Sequence, residues 1–346
     1  MTGAAMRPGW SRPGTVIQQM LARWPARFPP CECSPVSAAE RSKRLRGIAS
    51  FILITLIWGS TWLVIKDQIS VVPSSWSVTW RFALAAAAMF LLAMIRRDPL
   101  RLDRAAIGLA MVIGLVQFGA NFQFVYGAQH YLTSGLVAVF FALLLVPNAG
   151  LARIFLGMPI SPRFVAGSAV ALSGIGLLLL HEYNIAPAGT SVPLGIAFCT
   201  GAVLCASVGN IMQASRLAQR QTALPLIAWS MMFGALANAV FAAVTVGAPV
   251  FDPRPQYLLG IGYLAIMGSV VTFPLYFALI RDWGPGKAAY NSVAVPVVAM
   301  SLSTLFEGYR WSLLAGSGAV LAMFGLLIAL SGRNTIGRIA QPAENS

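Results

Sequence analysis

Polar side chains interrupt the long apolar stretches of this sequence, and they are the residues whose types could do chemistry. They are amides, hydroxyls and polar aromatic groups rather than acids or histidines. The set comprises Trp58, Ser60, Gln117, Asn121, Tyr126, Asn148, Asn210, Thr272, Tyr276, Tyr290, Asn291 and Ser292. Each alone is more typical of a hydrogen bond between helices than of a ligand contact. Together they favour a polar central cavity, and Gln117 and Asn121 are spaced to share one helix face.

Two charged residues, Arg81 and Glu307, are candidates for a charge site or a gate. Arg81 lies about six residues inside its apolar stretch, or roughly 9 Å along a helix. A charge at that depth is costly unless it is paired, hydrated or able to reach the interface. Glu307 ends a later stretch on the same side, so an Arg81 to Glu307 pair is geometrically feasible. Two interpretations stay open: a gate or substrate-carboxylate anchor, and a structural role as a static pair or as an arginine that reaches the membrane interface.

The other reactive side chains form no catalytic or metal-binding pattern. The sequence has two histidines, His130 and His181, and neither lies among carboxylates or cysteines at metal-ligand spacing. No nucleophile and base occur in a recognisable arrangement. We therefore expect no catalytic residues, no metal site and no cofactor, and a protein that is not an enzyme.

The composition indicates a membrane protein. Hydrophobic residues make up 58% of the chain and charged residues 10%, whereas soluble domains carry about 25% charged residues. A membrane-spanning helix needs about 20 apolar residues. Ten such stretches are predicted: Gly47–Ile65, Ser75–Ile95, Ala105–Ala128, Leu132–Ala152, Phe164–Leu180, Pro193–Ala214, Ala223–Val246, Tyr257–Ile280, Ala288–Phe306 and Ser312–Ser331. The predicted fold class is an all-α integral membrane protein.

The basic residues indicate the orientation of the chain. A net charge of +14 would suggest a nucleic-acid partner in a soluble protein, but here most basic residues lie at the ends of apolar stretches. With the N-terminus in the cytoplasm, sixteen basic residues fall on cytoplasmic flanks, and only Lys66, Arg254 and Arg310 fall opposite. Loops rich in Lys and Arg stay inside. We expect both termini in the cytoplasm of a bacterial inner membrane and no nucleic-acid partner.

The sequence resembles itself at a shift of about 150 residues. A shift of 149 aligns rare and small residues in pairs: Trp80 with Trp229, Pro147 with Pro296, Gly167 with Gly316, and Gly176 with Gly325. Each repeat then holds five spans, an odd number, so the second copy enters the membrane from the opposite side. Such inverted repeats can rock about a central site, which is the architecture of many secondary transporters.

Several motifs resemble the EamA-like family of the drug/metabolite transporter superfamily. They are Trp58-Gly59-Ser60-Thr61, then Trp80-Arg81-Phe82, then Leu305-Phe306-Glu307. The resemblance runs from about Gly47 to Ser331 and implies a ten-helix inverted-repeat permease for metabolites such as amino acids, often an exporter. One departure is Gly157-Met158, where the family usually has a Gly-Glu pair.

The predicted layout has four parts: a disordered basic extension over residues 1–46, a first repeat over 47–182, a second over 193–331, and a cytoplasmic tail over 332–346. The predicted function is a secondary transporter that moves a small metabolite, such as an amino acid or a related compound, across the lipid bilayer by alternating access, with export as the expected direction. A membrane receptor, scaffold or channel is the alternative. The protein is expected to be a monomer or homodimer.

The predicted energy coupling follows from the positions of the acids. The spans hold no Asp, Glu or His near their centres, where a proton carrier is usually found. We therefore hypothesise facilitated diffusion or substrate exchange, with Glu307 as the single candidate proton carrier.

Overall fold

The computed structural model describes residues 38–187, 189–283 and 290–339. Contacts divide the chain into Met1–Leu45 and Arg46–Ser346, and the contacts given below lie within the second unit. Three predictions fall outside the described residues: the N-terminal extension up to residue 37, the start of the ninth span at Ala288, and the tail from residue 340.

Ten long helices follow one another in the described part of the chain, and short loops make neighbours antiparallel. They are α1 Ala38–Gln68, α2 Ser74–Ile95, α3 Arg104–Ala128, α4 Ser134–Leu156, α5 Pro162–Ile185, α6 Val192–Gln213, α7 Ala223–Thr245, α8 255–283, α9 Asn291–Phe306 and α10 Leu313–Ile339. Of these described helices, nine are long and apolar enough to cross a membrane, and α9 has 16 residues. The all-α multi-pass prediction is therefore confirmed.

Local sequence explains where the helices begin. The Asp103 carboxylate accepts a hydrogen bond from the Ala106 N–H at 2.7 Å and caps α3, and the Ser161 hydroxyl caps α5 in the same way. Two helices extend beyond the predicted apolar stretches: α1 begins at Ala38 rather than Gly47, and α10 ends at Ile339 rather than Ser331. The helix at residues 38–46 corrects the prediction of disorder there. Ala, Glu, Arg and Lys are good helix formers that need no lipid.

Each half makes an equivalent tryptophan hydrogen bond to a loop of the other half. Trp80 of α2 donates its indole N–H to the carbonyl oxygen of Val250, in the loop after α7, at 2.9 Å. Trp229 of α7 donates to the carbonyl oxygen of Leu100, in the loop after α2, also at 2.9 Å. The same tryptophan thus binds the same loop of the opposite half in both copies. This reciprocity is what an inverted repeat with a two-fold pseudo-axis requires.

Glycines in α5 and α10 define the register of the repeat at that interface. A methyl group on Gly167 would stand 2.3 Å from the Ala329 nitrogen, and one on Gly318 would stand 2.7 Å from the Gly174 carbonyl oxygen. Gly316, the predicted counterpart of Gly167, has open space around it. The structural counterpart of Gly167 is therefore Gly318, and the predicted pairing in this helix was wrong by two residues. Small residues align at several shifts of the sequence, so the sequence alone could not decide between Gly316 and Gly318.

The third helix of each half contains a π-helical segment at the same place. These segments are Gly114–Ala120 in α3 and Tyr263–Val271 in α8. A π-helical turn adds a residue to the turn and changes which side chains face the interior, and it is frequent at functional sites. Here it widens both helices beside the centre of the bundle.

Two apolar cores flank the centre of the bundle. One is built mainly from α4, α5, α9 and α10, with Leu178 and Leu326 among its buried side chains. The other is built mainly from α2, α3, α7 and α8, around Phe82 and Leu264. Polar side chains collect between them.

Candidate functional site

A cavity of about 490 Å³ lies between the two cores. Its lining comes from α1, α2, α3, α4, α6, α8 and α9, so both halves contribute. We give each end of the bundle a name. The Glu307 end has the loop residues 69–73, 129–133, 186–187, 189–191, 246–254 and 307–312. The Arg216 end has the residues 96–103, 157–161 and 214–222. The cavity reaches Gln213, the last residue of α6, and Asn291, the first of α9. It therefore extends to the Arg216 end.

The structure brings many of the predicted site residues to this cavity. Those on its wall are Trp58, Arg81, Gln117, Asn121, Asn148, Asn210, Tyr276, Asn291 and Ser292. Those that do not line it are Ser60, Tyr126, Thr272, Tyr290 and Glu307. The wall residues come from seven helices and from positions up to 234 residues apart.

The off-wall residues have structural partners instead. The Ser60 hydroxyl bonds the Tyr263 hydroxyl at 2.7 Å, and the Thr272 hydroxyl accepts from the Trp58 indole at 3.0 Å. Tyr126 is fully buried, close to Arg81 but without a hydrogen bond of ordinary geometry. Tyr290 packs against the core of α4, α5, α9 and α10. The helices that carry these residues were predicted correctly, but their side chains do not face the cavity.

Arg81 is the one charged residue among the described residues of the cavity wall. Its side chain is only 4% exposed, and its guanidinium carbon lies 4.6 Å from the centre of the Phe122 ring and 5.2 Å from that of Phe82. Neither Nε nor Nη1 has a hydrogen-bond partner. The feasible ion pair with Glu307 does not form, because Glu307 contacts Ser134 at the end of the bundle. That prediction is corrected.

Amide side chains make up most of the polar wall. Asn121 donates to the Gln117 carbonyl oxygen at 3.1 Å, and Asn210 lies 3.5 Å from Asn148 across α4 and α6. Asn291 donates to the Thr55 hydroxyl at 2.9 Å. The side-chain oxygens of Gln117 and Asn121 have no partner. The wall thus presents unused acceptors beside the Arg81 cation, and an amide can exchange its oxygen for its NH₂ by a flip.

Aromatic rings form a further part of the wall, and the phenylalanines among them were not predicted from the sequence. The aromatic residues are Trp62, Phe118, Phe122, Phe141 and Phe273, in addition to Trp58 and Tyr276. Trp58 packs 5.2 Å from Tyr276, and Trp62 packs 5.0 Å from Phe141. Phenylalanines are common in any apolar helix, so their types carried no signal. Trp58 and Trp62 are four residues apart in α1, so they share one helix face.

The Glu307 end is closed by polar contacts that join α1, α4 and α9. The Glu307 carboxylate, at the end of α9, accepts from the Ser134 backbone N–H at 3.2 Å and from the Ser134 hydroxyl. It therefore caps α4, where an anion is favoured by the helix dipole. Lys66, near the end of α1, donates to the carbonyl oxygens of Gln129 and Leu132. These contacts hold α1, α4 and α9 together above the cavity.

Burial and nearby charges shift the pKa values of two loop residues at this end. Burial, and then the Lys66 ammonium, lower the pKa of His130. Burial, and then the Glu182 carboxylate, raise the pKa of Tyr309. His181 bonds the Arg310 carbonyl oxygen at 2.9 Å and the Ser312 hydroxyl at 3.0 Å. The Glu307 end is thus a partly buried, hydrogen-bonded closure.

Among the described residues of the Arg216 end, the closing acid Glu307 has no acidic counterpart. By the repeat, Met158 stands where Glu307 stands in the other half, and its side chain is 47% exposed. Asn148, Asn210 and Gln213 are partly exposed, whereas Arg81 and Asn121 are buried. The cavity is therefore reached from the Arg216 end.

Comparison with known proteins places this architecture among transporters. The model of the EamA-like transporter family matches residues 45–180 and 193–331. Protein PagO of Salmonella typhimurium is 25% identical over 82% of this chain and 92% of its own length. A probable amino-acid metabolite efflux pump of Escherichia coli is 25% identical over 81% of this chain and 93% of its own. The inner membrane transporter YedA of Escherichia coli is 26% identical over 84% and 90%.

A solved crystal structure shares the fold. It superimposes with a TM-score of 0.60 at 18% identity and covers 85% of this chain and 99% of the other. At this identity the likeness concerns the fold alone.

Proposed function

The chain belongs to the EamA-like transporter family, and from this premise we propose that the cavity between the two cores is its substrate path. The protein is a membrane transporter of small metabolites. In the proposed cycle one substrate molecule binds beside Arg81 and Asn121, and the halves rock about it by alternating access. Relatives are named as an amino-acid metabolite efflux pump and an inner membrane transporter. This supports a metabolite related to amino acids and export across an inner membrane.

One observation carries the proposal: the cavity is reached from one end of the bundle and closed at the other. Contacts of Glu307 with Ser134, and of Lys66 with two carbonyl oxygens, bridge helices at the closed end. A channel needs a path open at both ends, whereas a carrier needs a site exposed to one side at a time. The described conformation supports the carrier.

The excess of basic residues supports an orientation with the Arg216 end in the cytoplasm. Both termini then lie inside, and the cavity faces the cytoplasm, as an exporter awaiting substrate would. Reporter fusions after Asp98 and Arg220 should register inside, and one after Pro187 outside. A fusion after Pro187 that registers inside would contradict this orientation.

We further propose that the protein has no catalytic activity and works as a monomer or homodimer. Gradient-driven exchange or facilitated diffusion remains the proposed energy coupling. Collapse of the pH gradient by a protonophore should then leave exchange flux intact, and uphill accumulation abolished by the protonophore would contradict it.

The test of transport is counterflow in proteoliposomes. Full-length protein would be reconstituted with an unlabelled panel of amino acids and their deaminated acids inside, and uptake of each labelled compound would be measured. A carrier gives saturable uptake that is faster with the same compound on the far side. Flux that never saturates would favour a channel, and binding without flux would favour a receptor.

A matched pair of variants ties the flux to the cavity. Asn210→Leu replaces a polar wall residue between α4 and α6 and should reduce uptake about tenfold, since the loss of one hydrogen bond costs about 0.5–1.5 kcal/mol. Leu236→Ala alters an exposed side chain of α7 outside the cavity and should keep uptake. Equal uptake by the two variants would show that the substrate does not pass through this cavity.

A further inference from the structure

Arg81 lies in the cavity wall as a buried cation with unused donors. Its side chain is 4% exposed, and Nε and Nη1 have no acceptor. Its neighbours are the rings of Phe82 and Phe122, the Tyr126 hydroxyl, and Gly268 of α8, on which a methyl group would lie 3.8 Å from Nη2. None of these groups carries a negative charge at neutral pH.

A buried charge without a counter-charge is unfavourable, and the surrounding rings offset only part of that cost. The described acids at the closed end are engaged or exposed elsewhere. Glu307 bonds Ser134, Asp252 pairs with Arg254, and Glu182 lies near Lys66 and His181. Asp67 is exposed at the end of α1 and does not line the cavity. No acid among the described residues faces Arg81 across the cavity, so a bound ligand can supply the counter-charge.

We propose that the counter-charge is the carboxylate of the transported molecule, so that this carrier selects small organic monocarboxylates. The inference deepens the proposed function and depends on the cavity being the substrate path. The carboxylate would lie on the Arg81 guanidinium, with the Asn121 amide beside it. Charge-assisted hydrogen bonds of this kind are the stronger ones in proteins.

The rest of the cavity wall defines the body of the ligand. Aromatic side chains of Trp58, Phe118, Phe122 and Phe273 surround the site, so an apolar or aromatic body fits. The described wall residues include no Asp or Glu that would balance a substrate ammonium group. A monoanion neutralises Arg81, whereas a zwitterion brings a positive charge that meets only amide oxygens and rings. The site therefore prefers a deaminated or N-acylated acid to the corresponding amino acid.

The test measures binding and does not require transport. Three probes share one skeleton: 3-phenylpropionate, phenylalanine and 3-phenylpropionamide, at neutral pH. A ligand that binds the native state raises the apparent Tm of the full-length protein in detergent. The acid should raise it by about 3 °C at saturating concentration, phenylalanine by less, and the amide by about 0 °C.

Arg81 is then changed in two ways. In Arg81→Gln the response to 3-phenylpropionate should vanish, while Arg81→Lys should keep part of it. The ligand-free Arg81→Gln protein should melt no lower than the parent, because the substitution removes an unpaired buried charge. Arg310→Gln, at an exposed arginine outside the cavity, is the matched control and should respond as the parent does.

Three binding results would overturn the inference: no response of the parent to the acid, an equal response to acid and amide, or an acid response that persists in Arg81→Gln. A ligand-free Arg81→Gln protein that melts well below the parent would show that Arg81 has a structural partner, and would overturn it as well. Failure of the proposed function looks different, because counterflow would then be absent while the Arg81-dependent binding of acids persists.

Discussion

Trp80 in the first half and Trp229 in the second make the same hydrogen bond to the opposite half, each at 2.9 Å. The residues that follow them differ completely: Arg81 is a buried cation facing the cavity, and Ser230 bonds the Leu226 carbonyl oxygen of its own helix. The two halves thus share the hydrogen bonds by which each contacts the other. They differ at the next position, which is charged and faces the cavity only in the first half.

The two ends of the bundle differ in the same way. Glu307 caps α4 at the closed end, while its counterpart Met158 is half exposed at the open end. Symmetric packing gives an inverted repeat two conformations of similar energy. The polar residues that break the symmetry then decide which conformation is populated and what the cavity binds, since a few kcal/mol shifts such an equilibrium almost completely.

The largest expected effect breaks the shared packing. Gly174→Val would place a side chain 2.3 Å from the Ala322 backbone nitrogen, where no flexible group can move away. We expect a loss of about 3 kcal/mol or more of stability, or failure to fold. Gly325→Val, its counterpart 2.3 Å from the Ala171 nitrogen, should cost about the same. Thermal unfolding in detergent measures both.

The control for this pair tests the register of the repeat. Gly176 and Gly316 have open space where a side chain would be added, so Gly176→Val and Gly316→Val should be tolerated far better. If Gly316→Val were as damaging as Gly325→Val, the register derived from the glycine contacts would be wrong.

A smaller effect sharpens the comparison of the two ends. Glu307→Gln removes the charge from the cap on α4, and losing a charge-assisted bond costs about 1 kcal/mol or more. The closed end should therefore open more often. A cysteine in place of Ser303, which is buried at 0% exposure, would report this through the rate of labelling by an impermeant thiol reagent. We expect at least about a fivefold increase.

This measurement requires a background in which the 4 native cysteines are replaced. Met158→Gln is the matched variant at the open end, and it should leave labelling of the Ser303 position unchanged. An equal increase in both variants would indicate a general loosening of the bundle rather than release of a specific contact.

The smallest effect tests the symmetric hydrogen bonds themselves. Trp80→Phe and Trp229→Phe each keep an aromatic ring and lose one bond to a loop of the other half, so each should lower the free energy of unfolding by about 1 kcal/mol. Thermal unfolding of the two variants should give similar shifts. A shift in only one of them would mean that the two bonds are not equivalent, and that the pseudo-symmetry does not extend to these loops.

The sequence by itself determined the membrane class, the number of spans and the repeat. Long apolar stretches can satisfy their backbone in lipid only as helices, and a repeat of five spans must invert. Rare residues such as Trp80 and Trp229 aligned correctly because few other positions compete with them. The family motifs and the polar residues within the apolar stretches also identified the helices that line the cavity.

Only the tertiary structure decided which polar groups meet. It turned Ser60 and Thr272 toward neighbouring helices, separated Arg81 from Glu307, and placed Glu307 on Ser134. It also selected Gly318 rather than Gly316 as the partner of Gly167 in the repeat. The physical reason is that helix rotation, π-helical turns and close approach of small residues change side-chain direction by fractions of a turn. Apolar sequence tolerates all of these alternatives, and only packing against the other helices selects one.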